Sequence, residues 1–175
     1  MVRKVLLLVC LFISSIVVAQ STTVYFDFNS FMINTEARSV LNKFIASGKI
    51  NSVGFFGHTD QSGRAEYNEW LSVQRALAVK DYLLSKGLKE DKVSVVRGFG
   101  AERLITTAPD SASQQLNRRV AITSGYKPTP TDIAAQIKQT PIYYSSSPTL
   151  PKDLADSSTV SLTTDTKQPV ASNKT

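Results

Sequence analysis

The sequence predicts an α/β fold, an α+β sandwich in which a mixed four-stranded sheet packs on helices in the order β-α-β-α-β-β, followed by a disordered tail. Three observations carry this. Short alternating or apolar runs interleave with longer runs of helical period. All eight glycines fall between Gly48 and Gly125, while six of the seven prolines lie at or beyond Pro128. The net charge of +6 divides into +2 for residues 1–19, +3 for 20–126 and +1 for 127–175. Only the middle segment, roughly 105 residues, has the composition and length of a packed single-core domain.

The first strand is Thr22 to Phe28, where Val24, Phe26 and Phe28 alternate with Tyr25 and Asp27. Asn34 or Thr35 then offers a side-chain acceptor to the free amides that open a helix. Ala37, Val40, Leu41, Phe44 and Ile45 share one face of that helix, which stops at Gly48. Ile50 to Gly57 is short, apolar and aromatic, as a central strand should be. After the turn His58–Gly63, a long helical pattern runs from Arg64 to Lys86 and ends at Gly87, with Ser72 placed to cap a break into two helices. Lys92 to Phe99 is the third strand. Gly100 to Gln115 lacks a period and reads as a long loop. Asn117 to Thr123 closes the set, with Val120 and Ile122 inward.

The two ends read differently. Residues 1–19 have the form of a cleavable export signal: Arg3 and Lys4, an apolar stretch from Val5 to Val18, then Val17 and Ala19 at the −3 and −1 positions before Gln20. As a helix those 14 positions, apolar apart from Cys10, Ser14 and Ser15, rise only about 21 Å, short of the roughly 30 Å hydrocarbon layer. Cys10, the single cysteine, lies inside the apolar run and behind the bulky Val9, which argues against lipidation. From Lys127 to Thr175, 16 of 49 residues are Ser or Thr and six are Pro. Apolar residues there are too sparse to offset ordering entropy, so a disordered Ser/Thr/Pro-rich tail is expected, with only a transient helix at Thr131–Thr140.

Residue inventory excludes most chemistry. One histidine, His58, and no cysteine beyond residue 10 leave no ordinary nucleophile–base pair and no zinc set. Nothing marks a pair among the carboxylates of residues 20–126 for glycoside hydrolysis. Gly98 and Gly100 bracket Phe99 without the helix and lysine of a phosphate loop. A domain charge of +3 is no basic stripe for nucleic acid. No catalytic residue, metal or cofactor is therefore expected. Asp60 at the end of the second strand and Arg75 on the returning helix suit a zwitterion, the carboxylate taking an ammonium and the guanidinium a carboxylate. On spacing alone, a simple Asp60–Arg75 ion pair is equally consistent.

At this point the sequence resembles a known family. Gly57-His58-Thr59-Asp60, Gly63, Tyr67-Asn68-x-x-Leu71-Ser72-x-x-Arg75-Ala76, Val79, Tyr82-Leu83, Arg97-Gly98-Phe99-Gly100 and Asn117-Arg118-Arg119-Val120 are similar to the blocks of the OmpA-like (OmpA C-terminal) domain. The resemblance starts at Val24-Tyr25-Phe26-Asp27-Phe28-Asn29 and covers about residues 22–124. It implies noncovalent peptidoglycan binding in the periplasm or cell envelope of a Gram-negative bacterium, in association with the outer membrane. It also implies that Asp60 and Arg75 hold the ammonium and carboxylate of meso-diaminopimelate in the peptide stem. Phe28 and Asn29 then edge the pocket, with Thr59, Asn68, Leu71 and Arg119 as secondary positions. One departure stands out: the family's Gly-Glu-x-x-Pro after the third strand is here Gly100-Ala101-Glu102-Arg103-Leu104. With neither barrel strands nor a lipid anchor, the chain is expected to be neither a porin nor a lipoprotein. Two other functions remain in view: an envelope adaptor whose tail recruits an outer-membrane or envelope-complex partner, and a wall hydrolase.

Overall fold

The computed structural model describes residues 21–48 and 50–143, with side chains to residue 140. Four strands, β1 (Ser21–Tyr25), β2 (Val53–Gly57), β3 (Val93–Gly98) and β4 (Arg119–Ser124), form one sheet in the order β1-β4-β2-β3. β4 inserts between β1 and β2, antiparallel to both, and β2 pairs with β3 in parallel. The mixed sheet is the one the sequence predicts. The first strand ends three residues early, so Phe28 lies in the following loop rather than in the ladder.

Two helices cover one face. α1 (Thr35–Ala46) is capped by Asn34, whose side chain accepts from the Ala37 N–H at 2.9 Å. Its Ala37, Leu41 and Phe44 enter the core. α2 (Ala65–Ser85) is the crossover that a parallel β2–β3 pair requires. It contributes Ala76, Val79 and Leu83 against Val24, Phe26, Val53, Phe55, Val96, Val120 and Ile122 of the sheet. The expected break at Ser72 is absent. Its hydroxyl instead donates to Glu69 O at 2.7 Å and accepts from the Gly100 N–H at 2.9 Å, tying α2 to the loop after β3.

Two glycines set how closely α2 approaches. A Cβ on Gly57 would sit 1.8 Å from the Ser72 carbonyl oxygen, and one on Gly98 would sit 2.3 Å from Ser72 Oγ. Both strand ends therefore press directly on the helix backbone, which glycine alone permits.

Two parts of the chain depart from the sequence reading. Within the expected loop 100–115 lies a short helix, α3 (Ser111–Asn117), capped by Asp110, which accepts from the Ser113 N–H at 2.9 Å. Seven residues with one large apolar side chain, Leu116, leave no period to detect. Beyond residue 126, where the sequence leads one to expect only a transient helix at Thr131–Thr140, Pro130–Tyr143 forms a further helix, α4. Thr129 and Asp132 make a reciprocal cap: Thr129 Oγ1 accepts from the Asp132 N–H at 3.2 Å, and Asp132 Oδ2 accepts from the Thr129 N–H at 3.0 Å. Pro130 at the first helical position completes a start signal that compositional reasoning passed over. α4 is held by β3, not by its own propensity, and that contact is invisible in the local pattern. The export signal and residues 144–175 lie outside the described residues.

Candidate functional site

The strand ends at β1 and β2 converge on three charged side chains. Asp60 follows β2 and is 4% exposed. Its Oδ1 accepts from the Ser62 N–H at 3.0 Å, closing a turn that turns the carboxylate inward. Its Oδ2 accepts from Arg118 Nη1 at 2.9 Å. Arg118 also donates through Nε to Phe26 O at 3.3 Å and through Nη2 to Gln115 Oε1 in a short hydrogen bond. The ion partner of Asp60 is therefore Arg118, not Arg75.

Arg75 is fully buried yet, among the described residues, pairs with no carboxylate. Nε donates to Ser30 O at 2.8 Å, Nη1 to His58 O at 2.9 Å and Nη2 to Asp27 O at 3.2 Å. Its guanidinium carbon lies 5.4 Å from the centre of the Phe26 ring. Three of five N–H groups thus staple the 27–30 loop to the end of β2, and the other two make no hydrogen bond among the described residues. Burial lowers its pKa to about 10, with nearby Asp60 pulling it up and Arg118 pushing it further down. It stays cationic at neutral pH.

The rim belongs to the 27–30 loop. Phe28 is 66% exposed, and the Arg118 guanidinium lies 6.0 Å from its ring centre. Asn29 adopts φ +51°, the left-handed region that Asn tolerates better than most residues. Its Oδ1 accepts a short hydrogen bond from the Tyr67 hydroxyl. Burial raises the Tyr67 pKa, against the opposing influence of Arg75 and the Asn29 bond. Beside this rim a cavity of about 410 Å³ opens between β1, α1 and α3, with Asp27 and Gln115 in its lining.

The structure sorts the secondary positions. Asn68 is buried and donates to Ser62 O at 3.0 Å, bracing the turn that holds Asp60. Thr59 is buried, and its N–H donates to Gly100 O at 2.9 Å. Leu71 packs inside, as does Trp70, whose ring meets Phe31 edge-on at 5.9 Å and Tyr67 at 5.4 Å. Arg119 is hydrogen-bonded to neither Asp60 nor Arg75; it donates to Asn117 O at 3.4 Å and Arg103 O at 3.2 Å. Strand parity explains the exchange of roles. Residue 118 shares the inward face of Val120 and Ile122, whereas 119 shares the face of Ala121. Applying that period to Asn117-Arg118-Arg119-Val120 would have singled out Arg118 from the sequence.

The geometry can be compared with known proteins. The OmpA family model matches residues 25–118. The chain is 36% identical over 103 residues to the peptidoglycan-associated lipoprotein of Pseudomonas aeruginosa, covering 58% of this chain and 61% of the relative. It is also 36% identical over 103 residues to the one from Pasteurella multocida, covering 57% of this chain and 68% of that relative. The chain thus spans 61% and 68% of these two relatives' own lengths. Among solved structures, the peptidoglycan-associated lipoprotein of Burkholderia pseudomallei superposes with a TM-score of 0.52 at 29% identity, covering 57% of this chain and 86% of the other.

Proposed function

The chain belongs to the OmpA family, and from that premise we infer that it binds peptidoglycan noncovalently and holds itself to the cell wall in the envelope of a Gram-negative bacterium. The observation that carries this reading is the buried Asp60–Arg118–Arg75 cluster behind the exposed Phe28–Asn29 rim. A cluster of ionised groups is costly to bury, and a fold stabilised by packing alone would not need it.

The finer reading concerns the ligand. A carboxylate oxygen pair offers about four lone-pair sites, and Asp60 uses two on Ser62 and Arg118. The other two accept the ammonium of diaminopimelate. The two remaining N–H groups of Arg75 take its carboxylate, once the 27–30 loop yields enough to admit it. Each charge-assisted hydrogen bond contributes about 1.5–3 kcal/mol. Single-site affinity is accordingly modest, and the repeated stems of the wall supply avidity. The chain performs no bond cleavage in this reading.

Co-sedimentation with purified sacculi tests it. The parent chain pellets with the wall, free diaminopimelate competes it off, and Asp60→Asn stays in the supernatant while keeping its circular dichroism spectrum. Full sedimentation of Asp60→Asn would remove the site. Clearing on a murein zymogram would replace binding with hydrolysis. A second reading, the envelope adaptor, draws support from Ile133 and Ile137, which α4 turns outward immediately before residues 144–175. Deleting 144–175 leaves wall binding intact and, for an adaptor, removes the cellular phenotype.

A further inference from the structure

The sheet face opposite α1 and α2 carries charge that the Asp60 cluster does not use. Because Phe55, Val96, Val120 and Ile122 point into the core, alternation sends Phe56, Arg97, Arg119 and Ala121 to this second face. Phe56 lies in register with Arg97 on one side and Ala121 on the other. Phe99 and Arg103 from the loop after β3, Tyr126 beyond β4 and Asp132 of α4 fold over them. With His58, these residues other than Arg97 line an open cleft of about 300 Å³.

The charges of this cleft do not balance. Asp132 is the single carboxylate in its lining, and its oxygens are already taken. Oδ1 accepts from Arg97 Nη1 at 2.9 Å, while Oδ2 accepts from the Tyr126 hydroxyl at 2.6 Å and from Thr129 Oγ1 at 2.6 Å. Among the described residues neither Arg103 nor Arg119 has a carboxylate within ion-pair distance. The Arg103 guanidinium lies 3.7 Å from the centre of the Phe99 ring, and Arg119 reaches only the two long backbone contacts at 3.4 and 3.2 Å.

His58 is the second, independent sign. It is 4% exposed, stacked on Phe99 with ring centres 5.3 Å apart, and its Nδ1 is buried without a hydrogen-bond partner among the described residues. Buried polar atoms in native folds are almost always paired, so an unpartnered nitrogen on a ring that lines the cleft sets this wall apart from ordinary packing. Burial, followed by Arg119 and Arg103, lowers the His58 pKa to about 3. The ring is neutral at physiological pH, and the two guanidinium charges remain the unanswered ones.

We infer that this cleft is a second binding site, separate from the Asp60 cluster, for a small oxyanion carried on an apolar body. Arg103 and Arg119 hold the anion as fork donors, the His58 ring lines the wall beside them, and Phe56, Phe99 and Tyr126 line the remainder. A carboxylate and a phosphate monoester share this chemistry. Asp132 also lines the cleft, so a single charge is favoured over a double one.

His58 is the chain's one histidine, which makes its imidazole signals a self-assigned reporter. The full chain is titrated at neutral pH with benzoate, phenyl phosphate and inorganic phosphate while the ring resonances are followed by NMR. Benzoate and phenyl phosphate shift them saturably at millimolar concentration or below, and inorganic phosphate binds at least tenfold more weakly. The tighter of the two ring-bearing probes identifies the anion. Arg103→Gln and Arg119→Gln each weaken the better probe at least tenfold, and saturating diaminopimelate does not displace it. Arg103 is exposed and its side chain donates no hydrogen bond among the described residues, so Arg103→Gln alone carries the test if Arg119→Gln fails to fold. Absence of any saturable shift, parent-like titration of Arg103→Gln, or displacement by diaminopimelate overturns the inference. Sacculus binding is read separately, so the two sites stand or fall independently.

Discussion

Helices α1 and α2 hold the sheet by burying apolar side chains, whereas α4 holds it with polar ones. Leu41, Phe44, Val79 and Leu83 are 7% exposed or less. On α4 the order is reversed: Asp132 and Gln139 are 6% exposed, and Ile133 and Ile137 are 48% and 67% exposed. The reason lies in what each helix meets. α1 and α2 meet a sheet face made of Val, Ile and Phe. α4 meets β3, an edge strand with one side unpaired. Gln136 Oε1 accepts from the Val96 N–H at 3.3 Å. Gln139 Oε1 accepts from the Gly98 N–H at 3.3 Å, and its Nε2 donates to Gly98 O at 3.0 Å. Two residues apart on one strand, these are positions where a further strand would pair. The side chains of α4 take the place of that strand. Apolar burial supplies most of the folding free energy, and the directional bonds of α4 finish an edge.

That difference predicts a graded set of responses. Leu41→Ala, inside the α1 face, costs about 2–5 kcal/mol by urea unfolding, through lost transfer energy and the cavity left behind. Gln139→Ala costs less, about 1–3 kcal/mol for leaving Gly98 groups unsatisfied. Amide exchange at Gly98 accelerates in that variant while exchange at Phe55 and Ile122 follows global stability. A Gln139→Ala penalty equal to that of Leu41→Ala would mean that α4 belongs to the same cooperative core.

Acid sharpens the contrast. Burial pushes the Asp132 carboxyl upward, but hydrogen bonds from Thr129, Tyr126 and Arg97 outweigh it and hold the group well below the usual carboxylate range. A lowered carboxyl stabilises the fold above its unfolded value, near 3.9, and that contribution fades as pH falls below it. Exchange protection at Gly98 should therefore drop more between about pH 4 and 2 in the parent than in Asp132→Asn. Equal acid responses would separate α4 docking from the Asp132 charge. The smallest effect is expected at Ile137→Ser, within about 0.5 kcal/mol, because its side chain already faces solvent.

Legibility in the sequence followed the same division. The strand order of the chain, the caps at Asn34 and Gly48 and the buried face of α1 were readable because apolar period reports burial. Asp60 and Arg75 were readable as the charged pair at one strand end. Their partnership was not: Asp60 pairs with Arg118, 58 residues away, and local spacing carries no information about contacts so distant. Arg118 itself was within reach through strand parity, and the α4 start through Thr129-Pro130-Thr131-Asp132. Both signals were polar, and a search weighted toward apolar residues passes over them.

The sequence by itself determined the four strands and the two long helices that cover them. It also determined the family to which those blocks belong. Tertiary structure alone decided which charges meet and which stay unpaired. Insertion of β4 between β1 and β2 carries Arg118 to Asp60 on one face of the sheet and leaves Arg119 beside Arg103 and His58 on the other. The physical reason is that apolar burial is nondirectional and legible residue by residue, whereas ion pairs and hydrogen bonds depend on ångström-scale positions that exist only once the sheet has closed.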